Sequence, residues 1–304
     1  MLISFRDIIG LSRLYNEVLP LTNTGLILGG VAGLAAIGAT IGLVTPRQLS
    51  VSHIELSTPL QGNTFLHMSD YHYELLRVSP DKLKKAISDI SPTAILFTGD
   101  LFYKAQNSTS ALNHFKQIVG DIPVIMCLGN HEYKAYRVDT PDPDDPQNVD
   151  EYMCRVKEMG FIIGRNEIVN QFGYNFVLLD DFRENRHNLD SYTSTIHALL
   201  SSVAGTPTIV LCHSPATAGL IAKLPLEENE RPSMVLCGHY HGGQVDLPGH
   251  PEYYHFRSEM KHLTGHFRGL KVHNHVPVYI SRGLGSVVVP IRFASTPEIT
   301  VFKA

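Results

Sequence analysis

Hydrophobic and polar positions follow two different patterns along this chain, and the change falls near Pro46. Before it, residues 18–46 contain no charged side chain, and 26–44 are almost wholly apolar or small. At about 1.5 Å per residue such a run reaches across the roughly 30 Å hydrocarbon layer of a bilayer, which predicts a transmembrane anchor over 21–46. Ahead of it, Phe5, Ile8, Ile9, Leu11, Leu14, Tyr15 and Val18 recur at helical spacing, with Arg6, Asp7, Arg13, Asn16 and Glu17 mostly opposite. That pattern predicts an amphipathic interfacial helix over 1–20. A retained anchor is preferred to a cleaved secretory signal or a buried hairpin, because the run is long, begins late and lacks a clear small-x-small cleavage site. Glycines 25, 29 and 33, and again 38 and 42, share helix faces, so homo-oligomerisation through this helix is an expectation. Arg6 and Arg13 precede the span and only Arg47 closely follows. The asymmetry leans towards a single-pass protein in the cell membrane with its globular part outside.

After Pro46 short β-rich runs alternate with helical patterns. Strands are expected at 52–56, 64–68, 93–97, 123–128, 175–179, 208–212, 233–237, 276–280 and 299–302, and helices at 80–90, 109–119, 149–159 and 189–203. The first of these helices opens with proline, which is suited to a first-turn position. This alternation predicts an α/β layered fold over 50–304, with much of the sheet covered on both faces. The proline-punctuated acidic stretch 139–146 reads as a solvated turn. The longer stretch 245–275, rich in His, Tyr, Arg and Lys, is expected to be a loop capping a substrate site.

Composition narrows the function classes. With 304 residues, 43% of them hydrophobic, the chain can bury one large core. A formal net charge of −4 and a pI near 6.5 lack the basic balance of nucleic-acid binders, so no nucleic-acid partner is expected. Sixteen histidines stand out. Of the cysteines at 127, 154, 212 and 237, three lie in apolar runs and read as buried strand residues rather than a disulfide framework.

Polar clusters each close an apolar strand: Met68-Ser-Asp70-Tyr-His72, Phe97-Thr-Gly-Asp100, Leu128-Gly-Asn-His131-Glu132, Leu211-Cys-His213-Ser-Pro and Leu236-Cys-Gly-His239-Tyr-His241. In α/β sheets the carboxyl ends of parallel strands converge on one rim. Asp70, Asp100 and Asn130 follow one another at thirty-residue steps, long enough for one strand–helix–strand crossover each. Carboxylate, amide oxygen and imidazole suit borderline divalent ions such as manganese, iron or zinc, and no thiolate set of a structural zinc site accompanies them. Singly each cluster is a common turn; together they converge.

At these residues the chain resembles the calcineurin-like metallophosphoesterase superfamily, whose succession of Asp-x-His, Gly-Asp, Gly-Asn-His-Asp/Glu, His and Gly-His-x-His is complete here. Gly238-His-Tyr-His-Gly-Gly-Gln244, Ser281-Arg-Gly-Leu-Gly285, Pro290-Ile-Arg-Phe293 and Pro297-Glu-Ile are similar to the bacterial membrane-associated branch with its Gly-His-x-His-Gly-Gly-Gln motif. Tyr240 stands where threonine is usual, which is expected to alter the pocket wall. The resemblance implies a four-layer α-β-β-α sandwich and two divalent metal ions. One would be held by Asp70, His72 and His241 and the other by Asn130, His213 and His239, with Asp100 bridging. Cations roughly 3.5–4 Å apart activate water and stabilise charge building on phosphorus. His131 would face substrate as a proton donor or phosphate contact, and Arg282 and Arg292 would offer guanidinium forks to phosphate or make surface salt bridges. The implied activity is hydrolysis of a phosphodiester or pyrophosphate bond, with a lipid-linked substrate such as UDP-2,3-diacylglucosamine favoured by the anchor. Alternatives are an outward-facing envelope phosphodiesterase and a catalytically silent metal-binding scaffold; the complete ligand set argues against the latter.

Overall fold

The structure is a computed structural model describing residues 38–56, 62–141, 143–181, 188–246 and 265–303. The chain divides into two compact units, Met1–Ile41 and Gly42–Ala304. The expected interfacial helix and most of the expected anchor lie outside the described residues. Among the described residues no helix is long and apolar enough to cross a membrane.

In the second unit the strands β1 (Ser50–Glu55), β2 (Phe65–Met68), β3 (Ala94–Thr98), β4 (Val124–Cys127), β5 (Ile162–Ile163) and β12 (Glu298–Lys303) form one sheet in the order β1-β12-β2-β3-β4-β5. A second sheet takes β6 (Glu167–Gln171), β7 (Tyr174–Leu178), β8 (Thr208–Leu211), β9 (Met234–Cys237), β10 (Gly269–His273) and β11 (Val276–Ile280) in the order β10-β11-β9-β8-β7-β6. The run β2-β3-β4 is parallel, and so is β7-β8-β9-β11. Their carboxyl ends therefore lie on common rims.

Helices α1 (Pro80–Ile90), α2 (Ser108–Val119), α3 (Asn130–Val138) and α4 (Val149–Glu158) contribute to a core on one face of the first sheet. Helices α5 (Leu189–Ser202) and α6 (Pro215–Ile221) cover the second sheet. Helix α1 begins where it does because Ser79 accepts the Lys82 amide and Pro80 occupies the first turn, both favourable at an N-terminus.

Period-2 alternation sorts each buried strand between two cores. Leu66, Met68, Ile95 and Phe97 face the helices, whereas Phe65, Ala94 and Leu96 meet Phe176, Ile209, Leu211 and Leu236 between the sheets. Helices, sheet, sheet and helices thus stack in layers, as the sequence predicts.

Three expectations change. Residues 245–275 are not one loop: Gly269–His273 is an edge strand paired antiparallel with β11, where His266 and His273 stack with nitrogens 2.9 Å apart; residues 247–264 lie outside the described set. The acidic stretch braces a helix, since Asp145 accepts the Thr109 amide at 3.3 Å. Helices α3 and α6 and strands β5 and β6 are additional, being too short or too weakly periodic to stand out. Tyr240 is buried in the core beneath the second sheet, its ring centroid 5.6 Å from that of His239. Cys127, Cys212 and Cys237 are buried and unbridged, as expected, and Cys154 is exposed.

Phe65 anchors the inter-sheet core, its ring 5.6 Å from Tyr174 and 5.5 Å from Phe176, both edge-on. Truncation to alanine should cost about 3–5 kcal/mol, read as a shift in the urea midpoint at unchanged m; a loss under about 1 kcal/mol would mean the two sheets do not depend on this contact.

Candidate active site

Each predicted functional residue sits immediately beyond a strand. Asp70 and His72 follow β2, Asp100 follows β3, Asn130 and His131 open α3 after β4, His213 follows β8, and His239 and His241 follow β9. Asp70, His72, Asp100, His239 and His241 all take positive φ, between 42° and 71°. For residues with a Cβ such backbone costs of order 1–3 kcal/mol each and persists only where surroundings impose it. Here it turns each chain sharply back over the sheet end, so side chains that would alternate outward point at one locus.

Backbone crowding fixes the turns. A Cβ on Gly238 would come within 1.8 Å of Ser69 Oγ and 2.2 Å of Asp70 Oδ2, and one on Gly129 within 2.2 Å of Asp100 Oδ1. Only glycine allows these loops to approach the carboxylates so closely. The space is used for hydrogen bonds: the His239 amide donates to Asp70 at 2.9 Å, and the His131 amide donates to Asp100 Oδ1 at 2.8 Å.

Three groupings bring ligand atoms within 4.8 Å of one another: Asp70, His72 and His241; His72, Asp100 and His131; and Asp100, His213 and His239. Asp100 Oδ2 lies 3.1 Å from His213 Nε2 and 3.5 Å from His72 Nε2, so one carboxylate touches both sides. His241 Nε2 is 3.4 Å from Asp70 Oδ1, and His213 Nε2 is 3.1 Å from Asn130 Oδ1 and 3.2 Å from His239 Nδ1. His213 Nδ1 donates to the Thr98 carbonyl at 2.7 Å, and His241 Nδ1 to that of Gly285 at 3.2 Å. The Thr98 carbonyl thus keeps the proton of His213 on Nδ1 and turns Nε2 to the site, and His241 Nδ1 lies as well 3.2 Å from Arg292 Nη2. The seven residues singled out in the sequence therefore gather at one locus, Asn130 Oδ1 lying against His213 Nε2.

Burial without enough counter-charge marks the cluster. Burial pushes Asp70 up to about 6 against the pull of His213. For Asp100 burial works the same way, but His213 and His131 overcome it and hold the carboxyl well below the usual range. Burial disfavours charge on His213 too, yet Asp100 and Asp70 lift it to about 10, so a proton there balances the carboxylates. Burial drives His72 well below its ordinary value and lowers His131. The His72 nitrogens and His131 Nδ1 are buried with no hydrogen-bond partner, a costly state for polar atoms. A divalent cation would satisfy the His72 nitrogen and replace the His213 proton as counter-charge; the donor set fits one.

Sequence reasoning missed two supporting residues, Glu132 and Tyr103, and gave a third, Arg292, another role. Glu132, completely buried, accepts from Gly129 N at 2.7 Å, Asp100 N at 3.1 Å and Leu101 N at 2.6 Å, tying the Asp100 loop to the His131 loop. Burial and repulsion from Asp100 raise its carboxyl to about 7. Its place beside His131 in the motif was the available signal. Tyr103 lays its ring 4.7 Å from His131, and nothing in its spacing announced it. Arg292 is fully buried and donates to the carbonyls of Arg282 at 2.8 Å, Ser295 at 3.1 Å and Gly285 at 3.2 Å. It is a brace for the loop that orients His241, correcting the expectation of a phosphate fork. Arg282 is likewise committed, paired through Nε and Nη2 with Glu298.

Two stacked sheets delivering carboxylates, an amide and imidazoles to one rim define a metallohydrolase. The chain belongs to the calcineurin-like phosphoesterase family, whose sequence profile matches residues 64–243, and is a metal-dependent phosphoester hydrolase. It is 29% identical over 243 residues to the uncharacterised metallophosphoesterase YkoQ of Bacillus subtilis, covering 77% of this chain and 81% of that protein. Over 318 residues it is 25% identical to the UDP-2,3-diacylglucosamine pyrophosphatase LpxG of Chlamydia trachomatis, covering 85% and 90%. It is 22% identical over 243 residues to the phosphodiesterase YaeI of Escherichia coli, covering 78% and 80%.

Glu132→Gln keeps volume but turns an amide nitrogen towards backbone donors. Leaving one buried N–H unmatched should lower stability by about 1–3 kcal/mol; thermal unfolding identical to the unaltered protein would show that the two loops hold each other without it.

Proposed function

We propose that this chain hydrolyses a phosphodiester or diphosphate bond in a lipid-linked substrate of the UDP-2,3-diacylglucosamine class, using two divalent cations. The observation that carries it is the pair of carboxylate–imidazole groups sharing Asp100 at one strand rim. Likeness to the LpxG proteins along most of both chains and the uncharged run 26–44 support the lipid-linked substrate. Its nucleotide part places the site on the cytoplasmic side, against the lean of Arg6 and Arg13, and cytoplasmic exposure is part of this reading.

Asp70, His72 and His241 would hold one cation, Asn130, His213 and His239 the second, and Asp100 would touch both. When bound, such a pair supplies Lewis acidity and an activated water. The chain's own residues do the rest. The Thr98 carbonyl orients His213, and the Gly285 carbonyl with Arg292 orients His241. His131, whose pKa burial lowers, would present a ring N–H to a phosphate oxygen; the phosphate's negative charge would favour uptake of a solvent proton on the other ring nitrogen, and the imidazolium so formed would protonate the departing oxygen and return to the neutral ring.

Purified full-length protein with manganese and UDP-2,3-diacylglucosamine should release UMP; absence of UMP while bis-p-nitrophenyl phosphate is hydrolysed would remove the lipid-nucleotide substrate and keep the phosphoesterase. Asp100→Asn should lower bound metal, measured by mass spectrometry of the folded protein, and reduce kcat on either substrate; wild-type metal content and rate would overturn the shared-ligand role. His131→Ala, by contrast, should retain metal and lose about 10²–10⁴-fold in kcat, and an unchanged kcat would take His131 out of the reaction.

A further inference from the structure

Beside the site lies a loop whose chemistry none of the above uses. Residues 287–291 read Val-Val-Val-Pro-Ile, yet Val288 is 79% exposed and Val289 46% exposed. Val288 also takes φ +64°, a region in which a β-branched residue is a genuine outlier. Strain and apolar exposure are two separate costs at one position, and strain of this kind persists where surrounding contacts enforce it.

Those contacts come from the catalytic motif. Gln244, the last residue of Gly238-His-Tyr-His-Gly-Gly-Gln244, donates from Nε2 to the carbonyls of Val287 at 3.0 Å and Val289 at 3.3 Å. Its Oε1 accepts the Val287 amide at 2.8 Å. One amide group thus clamps both sides of Val288 and pushes it outward. The same segment continues into Arg292, whose side chain braces the loop around His241.

The apolar surface extends to the start of this unit. The Gly42 carbonyl accepts the Arg292 amide at 3.1 Å, and a methyl added to Gly42 would come within 2.9 Å of Ile291 Cγ2. Directly after Gly42, Leu43 and Val44 are 49% and 46% exposed. Exposed cations follow them: the Arg47 guanidinium bonds the Leu43 carbonyl, and Lys82 Nζ donates to the Arg47 carbonyl at 2.7 Å. An uncharged apolar run, 26–44, leads into the chain at this point.

We propose that Val288 and Val289, with Leu43 and Val44, form a membrane-contact surface that seats in the interfacial layer of an anionic bilayer, with Arg47 and Lys82 against its headgroups. Apolar side chains bordered by exposed cations match that layer's chemistry, and a water-soluble partner would leave the uncharged run 26–44 unexplained. The surface is rigidly joined through Gln244 and Arg292 to the loops carrying His239 and His241. This inference deepens the lipid-linked reading above and rests on it for its purpose, while its test needs no turnover.

Full-length protein carrying Cys154→Ser to remove the exposed native thiol is given Val288→Cys or Val289→Cys, labelled with an environment-sensitive fluorophore, and reconstituted in phosphatidylglycerol vesicles. Val272→Cys, at a position 64% exposed on the edge strand β10, serves as the reference. Nitroxide-bearing lipids should quench either loop label at least about fivefold more than the reference, with iodide quenching reduced in proportion. Iodide access equal to the reference at both loop positions would overturn the proposal. So would loss of iodide access without lipid quenching, which would mean protein covers the loop. If lipid quenching is found but UMP is not released from the lipid nucleotide, the substrate reading fails and the contact surface stands. If UMP is released without quenching, the reverse holds.

Discussion

Asp100 is buried to 1% exposure between two groups of imidazoles, and a carboxylate so placed must have counter-charge. In water an aspartate meets this need with solvent; here solvent is excluded and the need falls on His213, His72 and the His131 amide. Attraction in such surroundings is far stronger than at a surface, which is why His213 is driven upward and Asp100 downward although burial alone would move each the other way. The site is built around an excess of negative charge and lone pairs that a cation relieves. Its donors follow strands of both sheets.

Holding the cluster in this state requires backbone that the sheets alone would not adopt. Five of the gathered side chains leave their strands in left-handed conformation, and the cost is met by contacts between loops rather than within them. Leu284 N donates to Ser69 O at 3.0 Å and His72 N to Asp100 O at 3.0 Å, and Glu132 gathers three amides. Each strand end is thus kept in place by its neighbour. Distributed strain of this kind is expected where function, rather than folding, dictates geometry.

The same economy of contacts joins chemistry to surface. Arg292 reaches the carbonyls that border His241, and Gln244 holds the apolar loop from inside the metal motif. Residues that resemble phosphate binders by type, Arg282 and Arg292, turn out to be consumed in bracing.

Much of this was legible in the chain. Alternating hydrophobicity located the principal strands and helices to within a residue or two, because burial on sheet faces imposes periods that sequence must obey. Polar residues closing apolar strands, with Asp70, Asp100 and Asn130 at thirty-residue steps, pointed to the positions that the structure gathers at one locus, because crossover length and strand polarity bring such positions to one rim. Three kinds of feature were not legible: the left-handed turns, the commitments of Glu132, Arg282 and Arg292, and the strand hidden in 245–275. None is specified by neighbours in sequence. An arginine's partner, a carboxylate's pKa and the aim of a side chain are set by groups that lie tens or hundreds of residues away, such as Glu298 paired through Tyr279 with the strand of β11 and through Ser52 with β1. The sequence by itself determined which polar residues close the strands and on which elements they ride; the tertiary structure alone decided how they face one another, because charge, burial and strain are properties of the assembled neighbourhood.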